Sequence, residues 1–456
     1  MDAHEQGPYK ALEGCAMFDL SKAIKQWKHS FNGKCSVEDQ EELESHLREH
    51  FEDLKETGIS EDQAFNQAVT RMGSPEDVGR EFAKVRSFGD WVLDRFRALD
   101  LPLFLGLLLI CGMGLLMIYS AGKGTGAKLW IKQMIWIGLG FSLMFLAAQT
   151  QPVQLKRCTP FIYGVSILLL ILVVFAGKQI GGARRWFLLG GLAIQPSVLM
   201  ILTLPMMIAW LLTKREWAKT RKGFATMLTI ILLPYSLILI QPDISMALLC
   251  LCTGCIPMFL SDSLSHPAKL TCAAMPVLCT AGWLLLQPHQ LKRILVFLNP
   301  EADSSGVGYN ILQIREAVSS GGFLGRGWLN AEVDIPNQPT DFILTIIAEQ
   351  FGTAGVIVLM ACFGFLLYRA VIISKCSHDI FSRFLGFGFV GVFLMQLAVH
   401  VCVTYGWMPI MGVPLPLVSY GGSSLVLLLA GFGILASIHR QTRRESNKDG
   451  IYNKFT

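Results

Sequence analysis

Beginning near Leu101 and ending near Ile438, the chain carries about ten continuous apolar runs, each close to the roughly 20 residues an α-helix needs to cross a bilayer. That feature admits few folds. Backbone polar groups inside lipid must be satisfied within the structure itself, which leaves helices and closed barrels, and continuous rather than alternating runs select helices. The runs centre on Leu101 to Ser120, Ile131 to Thr150, Phe161 to Gly177, Ala193 to Thr213, Phe224 to Ile240, Ile244 to Leu260, Leu270 to Leu286, Phe342 to Tyr368, Phe384 to Tyr405 and Leu417 to His439. A composition 52% hydrophobic and only 16% charged, with mean hydropathy +0.47, agrees in placing the chain outside the range of soluble globular proteins. The expected fold is all-α: a polytopic membrane protein of about ten transmembrane helices, preceded by a small soluble helical domain.

The polar first hundred residues precede an apolar run too long and too late to be a cleaved signal, so the leading segment is expected to stay in the cytosol. The twelve cysteines lie mostly inside apolar runs. Cys252 and Cys255 are CxxC-spaced but have no His or further Cys partners for a metal, and read as packing residues. A net charge of +5 without a basic stripe interleaved with aromatics excludes a nucleic-acid surface.

Residues 1–97 read as the helical domain, 98–439 as the membrane domain, and 440–456 as a basic cytosolic tail. In the first part Leu43, Leu47, Phe51 and Leu54 recur at helical spacing after a capping Ser36. Ser60 with Gln63 forms a capping-box pattern, Gly73 is a stop, and Pro75 suits the first position of a third helix. The run "EDQEELESHLREHFED" reads as a solvated helix face, and no catalytic constellation is visible. The segment looks like the prefix domains that precede various bacterial membrane proteins. Lys214, Arg215, Lys219, Arg221 and Lys222 crowd one short loop, and Arg440, Arg443 and Arg444 follow the last run; with ten spans both groups share a side, which places both termini in the cytosol. The long segment at about 287–340 then lies outside. Its Arg293, Arg315 and Arg326 stand where the positive-inside bias disfavours them, and an anionic phosphate-bearing ligand would hold them there.

Four stretches carry candidate chemistry. "GGARRWFLLGGLAIQPS" (Gly181 to Ser197) reads either as an interfacial Trp belt with snorkelling Arg or as a ligand surface. "QPD" (Gln241 to Asp243) puts a carboxylate where a helix dipole alone would explain it. "MPIMGVPLPLVSYGGSS" (Met408 to Ser424) packs three prolines and three glycines, which suits irregular backbone lining a cavity. "PNQPTDFILTIIAEQFG" (Pro336 to Gly352) sets Asp341 near the first position of an apolar helix, with Thr345 and Glu349 following on one face. Because Glu349 would be costly in lipid, that polar stripe implies a hydrated cavity running inward from Asp341.

"GARRW", "QPS", "QPD", "NP" followed by "GVGYNILQ", "SSGGFLGRGW", "TDFI", "AEQFGTAG" and "MGVPLPLVSYGGSS", in this order across roughly Leu101 to Ile438, resemble the SEDS family of RodA, FtsW and SpoVE. The resemblance implies a ten-span bacterial enzyme that polymerises lipid II into peptidoglycan glycan strands, in cell elongation, division or sporulation, with a class B penicillin-binding protein as partner. It identifies Asp341, in its "TDF" setting, with the family's essential aspartate. The chemistry agrees: glycosyl transfer from a polyprenyl pyrophosphate needs a base for the acceptor hydroxyl and positive charge for the leaving diphosphate. Asp341 would be that base, or would help to hold a divalent cation, Mg or Mn. Arg185, Arg293 and Arg315 are candidates for the diphosphate clamp, and Trp186, Gln195, Ser197, Gln313, Thr340, Glu349 and Ser419 complete the candidate substrate-binding set.

The chain also departs from the pattern. Where the family commonly continues "QPS" with a glutamate and, three residues later, a lysine, it holds Val198 and Ile201. "PDLGT" has become "PDISM", and His400 stands at an asparagine position in the ninth span, read as a hydrogen-bonded packing residue rather than a proton carrier. A divergent member is implied. Two other classes stay open on the sequence alone: a lipid-linked precursor flippase, which would depend on charged groups along a path through the bilayer, and a catalytically weakened scaffold for a penicillin-binding protein.

Overall fold

The computed structural model describes residues 19–29, 37–56, 58–73, 78, 100–122, 128–180, 183–189, 192–286, 294–303, 306–330, 332–333 and 335–448. The chain divides into two compact units, Met1–Ala98 and Leu99–Thr456.

The first unit contains α1 (Leu20–His29), α2 (Val37–Glu56) and α3 (Glu61–Met72). Leu43, Leu47, Phe51 and Leu54 face inward as their spacing predicts, against Ile24, Trp27, Ala64, Phe65, Ala68 and Val69. Ser60 stands at the N-cap of α3 in extended backbone, yet its side chain makes no cap hydrogen bond, so the expected capping box does not form. Glu61 and Asp62 in the first turn supply favourable charge instead. Gly73, at φ +91°, ends the helix as expected. Ser36 and the helix start at Pro75 lie outside the described residues.

The second unit is built from α4 (Leu101–Gly122), α5 (Leu129–Gln149), α6 (Pro152–Ala176), a small antiparallel sheet of β1 (Lys178–Ile180), β2 (Ala183–Leu189) and β3 (Leu192–Ile194), then α7 (Pro196–Leu212), α8 (Arg215–Ala218), α9 (Arg221–Ile240), α10 (Ile244–Leu260), α11 (His266–Leu286), α12 (Val307–Gly321), α13 (Gln338–Asp341), α14 (Ile343–Cys376), α15 (Ile380–Thr404) and α16 (Gly422–Lys448). Among the described residues seven helices are long and apolar enough to cross a membrane (α4, α5, α6, α9, α14, α15 and α16), and α7 and α10 are shorter apolar helices. With α11, each of the expected apolar runs falls on a helix. Outward-facing Phe161, Phe175, Leu270 and Val277 are exposed, as lipid-facing side chains must be.

Two apolar cores hold the unit. One joins α4, α14, α15 and α16, where Phe393 meets Phe363 and Phe432 with ring centroids 5.7 and 5.3 Å apart. The other joins α6, α7, α9 and α10, and it contains Val198 and Ile201, both buried. Asp100 precedes α4, accepts a hydrogen bond from Leu103 N (3.0 Å) and forms an ion pair with Arg369 of α14.

Two departures from the sequence reading bear on the site. Residues 192–194, expected to open a helix, are instead a strand paired back onto β2, with Phe187 opposite Ile194 and Leu188 opposite Ala193; Pro196 then starts α7. Second, α14 has 34 residues, about 51 Å at 1.5 Å each, against a hydrocarbon core of about 30 Å. It is broken at Gly352, whose φ is +64°. There the amides of Thr353 and Ala354 donate to Gly322 and Phe323 carbonyls, each at 3.0 Å, instead of continuing the helix. A Cβ on Gly321, Gly325 or Gly352 would run into backbone at this crossing. The span therefore begins near Thr353 rather than Phe342, and Glu349 lies before it.

Candidate functional site

Asn337 opens the turn that carries Asp341. Its φ of +61° is left-handed, a conformation Asn tolerates better than most residues. Its carbonyl accepts from the amides of Thr340 (3.1 Å) and Asp341 (3.0 Å), closing α13. Phe342 then leaves helical geometry at φ −131° before α14 begins. Asp341 is thus the last residue of a short turn at a joint between two helices, not the first residue of the span, so a helix dipole does not account for it.

The segment between α15 and α16 closes over this turn. Tyr420 N donates to Pro339 O (2.9 Å), while buried Ser419 accepts from Leu415 N through its hydroxyl (2.9 Å) and from Gln133 Nε2 through its carbonyl (3.3 Å). His400 bonds the Val413 carbonyl through Nδ1 at 2.9 Å; a carbonyl only accepts, so Nδ1 carries the proton. His400 therefore behaves as the hydrogen-bonded packing residue expected. Gly412 lies beside the Asp341 carboxylate.

A small apolar cluster of Ile314, Ala317, Val333, Ile335, Phe342 and Val403, with Met408 and Met411 against it, ties α12 to the Asp341 turn. Arg315 follows Ile314. It is exposed, has no hydrogen-bond or ion-pair partner among the described residues, and points its Nε within 4.0 Å of where a Cβ on Gly406 would lie. Arg315, Thr340, Asp341 and Ser419 thus gather around the 405–421 segment. Burial pushes the Asp341 carboxyl above its ordinary range, and a hydrogen bond from the Thr340 hydroxyl partly offsets that shift.

Three sequence motifs converge elsewhere, on Asp243. Its Oδ1 accepts from Met246 N (3.3 Å) at the start of α10, and its Oδ2 accepts from Gln195 Nε2 (3.1 Å) with Arg185 Nη1 at 3.5 Å. Arg185 also donates to the Gln241 carbonyl (3.0 Å) and to the Pro242 carbonyl. "GARRW", "QPS" and "QPD" are therefore one structural knot, in which Arg185 is already engaged, and the dipole reading of Asp243 omitted these partners. Trp186 is half-buried opposite Lys178. Ser197 is buried, and its hydroxyl has no partner among the described residues.

Glu349 departs from the hydrated stripe the sequence suggests. It is fully buried, its Oε1 accepts from the amides of Glu332 (2.8 Å) and Val333 (3.3 Å), and Arg326 Nη1 lies 3.6 Å away. Thr345 is also buried and bonds the Phe342 carbonyl at 2.6 Å. The carboxylate clasps the loop that leads to Asp341; it does not line open space. Gln313 is half-buried on α12, and Arg293 lies outside the described residues.

Gly406, 91 positions after Arg315, carries no local signal, and Gly412, 71 positions after Asp341, stands in the sequence only as one of three glycines in a cavity-lining stretch, with nothing there to pair it with Asp341. Among the described residues no group of three or more His, Cys, Asp or Glu could hold a metal. Among the described residues the donor at this point is the Asp341 carboxylate, which fits a divalent ion shared with a diphosphate and water rather than a resident, fully protein-ligated one.

A family model for FtsW, RodA and SpoVE, described as cell cycle proteins, matches residues 100–444. Among curated relatives, the peptidoglycan glycosyltransferase MrdB of Escherichia coli K12 is 33% identical over 349 residues, covering 75% of this chain and 93% of that protein. The stage V sporulation protein E of Bacillus subtilis 168 is 30% identical over 359 residues, covering 75% and 98%. Among solved structures, a chain from a peptidoglycan synthase complex, solved for the coordination of polymerization and crosslinking, superposes with TM-score 0.65 at 30% identity over 75% of this chain and 98% of that one. The rod shape determining protein RodA of Thermus thermophilus gives TM-score 0.57 at 28% identity over 75% and 97%.

Proposed function

The chain belongs to the FtsW/RodA/SpoVE family of cell cycle proteins, and from that membership we propose that it is a peptidoglycan glycosyltransferase that polymerises lipid II into glycan strands. The observation that carries the assignment of roles is the Asp341 turn itself. It presents a partly buried carboxylate on a turn held by backbone hydrogen bonds, facing the same 405–421 segment as Arg315, which has no hydrogen-bond or ion-pair partner among the described residues.

Asp341 takes the proton of the acceptor sugar hydroxyl as its oxygen bonds the anomeric carbon of the donor; the anomeric carbon–oxygen bond to the diphosphate breaks, and the diphosphate leaves with the electron pair, inverting the centre. A carboxyl with a raised proton affinity is better matched to that transfer near neutral pH than an ordinary one. Arg315 holds the leaving diphosphate by charge and, through its planar fork, by paired hydrogen bonds. Arg185 instead braces the "QPS" and "QPD" stretches, and Glu349 braces the approach to Asp341. Asp341 together with the diphosphate would hold a divalent cation, Mg or Mn, which would neutralise the diphosphate's charge when bound. The partner is a class B penicillin-binding protein. The chain lies in the bacterial inner membrane with both termini in the cytosol, in keeping with its basic loops. A flippase finds less support, because positions 198 and 201 are packed apolar residues where a charged path would be favoured.

The test is purified protein, with and without its penicillin-binding partner, given labelled lipid II and Mg or Mn. Wild type should build glycan strands and Asp341→Ala should not, although folded. Strands from the variant would remove Asp341 from the chemistry; translocation without polymer would favour the flippase.

A further inference from the structure

Gly412 sits at the centre of a tight turn, with Val413 N donating to Met411 O at 2.8 Å. Nothing in the fold requires glycine there. Its φ lies outside the left-handed region. Among the described residues, a Cβ added to it would meet, within 4 Å, only the carboxylate of Asp341: Oδ2 at 3.5 Å and Cγ at 3.9 Å. Both are ordinary contact distances, in contrast to Gly321, Gly325 and Gly352, where a Cβ would collide with backbone. Gly412 is exposed, whereas its neighbour Val413 is buried and fixed through its carbonyl by His400. The turn is thus tied down at Val413, and its Gly412, beside the Asp341 carboxylate, has no side chain.

Resting on the reading of Asp341 as the base, we propose that Gly412 determines access to the site: the volume its absent side chain leaves open is the path by which the acceptor hydroxyl reaches Oδ2. The proton passes along that approach, so a methyl group there displaces the acceptor oxygen from hydrogen-bond distance while leaving the diphosphate side, at Arg315, untouched. Gly412 acts by clearance, and its replacement separates the two substrates. The donor still binds, and the acceptor is held too far from the base to react.

The experiment compares full-length wild type, Gly412→Ala, Gly412→Val and Asp341→Asn with the same partner protein and labelled lipid II. The alanine variant is expected to keep the wild-type thermal midpoint and the KM of the donor, and to lose kcat by about 10-fold to 100-fold, the cost of a misplacement near 1 Å. Valine should lose more. A methyl that strips water from the carboxylate should also move the acid limb of the pH–rate profile upward, which a merely structural defect would not do. Wild-type kcat in Gly412→Ala, with Asp341→Asn inactive, overturns the clearance proposal alone. A lowered midpoint in Gly412→Ala overturns it too, since the position would then serve the fold. Activity in Asp341→Asn removes the base, and the proposal with it.

Discussion

Ionised Asp341 is held where burial disfavours its charge, and that has opposite consequences for stability and for activity. The folded carboxyl binds its proton more tightly than the unfolded one, whose ordinary value is near 4. Stability therefore falls as pH rises from the unfolded value through the raised folded one, and the penalty is fully present above it. Asp341→Asn removes the penalty: its thermal midpoint should equal or exceed wild type at neutral pH and the difference should shrink toward pH 4, while polymerisation is lost. Wild-type polymerisation should show an acid limb above the ordinary carboxylate range, because the base must be ionised. A second residue-scale expectation concerns Val198 and Ile201, both buried in the core of α7, α9 and α10. Val198→Glu alone should cost about 3–5 kcal/mol as an unpaired buried charge, and adding Ile201→Lys should recover part of it, measured as a double-mutant cycle of thermal or denaturant stability. Asp341 was legible in the sequence because an acid at the edge of an apolar run is unusual and its neighbours fit a family motif. Gly412 was legible only as part of a glycine- and proline-rich cavity lining, since its pairing with Asp341 exists only after folding.

Among elements, the loop that precedes Asp341 is fastened to α14 by one buried carboxylate. Glu349→Ala would orphan the amides of Glu332 and Val333, at about 1–3 kcal/mol for the buried Val333 donor, and leave Arg326 with Glu332 as its ion-pair partner among the described residues. Limited proteolysis near 322–333 should accelerate, and polymerisation should fall because the freed segment runs directly into the Asp341 turn. Glu349→Gln keeps an oxygen acceptor and should lie between alanine and wild type; equal proteolysis of all three proteins would rule the clasp out. Hydropathy located the helices well, since lipid imposes length and composition on each one. It read straight through the break at Gly352, because both sides of the break are apolar and the cause is a distant loop, Gly322 to Gly325, taking the backbone hydrogen bonds. The β1–β3 sheet was hidden for a similar reason: β1 and β3 have three residues each, too few to show a period of two.

At the scale of the whole molecule, the family match at 100–444 falls within the second compact unit, and the first has its own core around Trp27. The change from a polar to an apolar chain near residue 98 made that division readable, whereas the anchoring at its edge was not: Asp100 looks like an ordinary junction residue until Arg369, 269 positions away, is brought to it. Asp100 is buried, caps α4 through Leu103 N, and holds a guanidinium whose buried Nε has no hydrogen-bond partner among the described residues. A chain beginning at residue 99 keeps this arrangement and should insert, retain its thermal midpoint and polymerise lipid II. A chain beginning at residue 101 lacks the carboxylate and should lose about 1.5–3 kcal/mol, the range for a hydrogen bond to a charged group. Asp100→Asn in the full-length protein should reproduce most of that loss, because the amide caps the helix but no longer balances Arg369. If both truncations were equally destabilised and Asp100→Asn were not, the cost would belong to the first unit rather than to the ion pair.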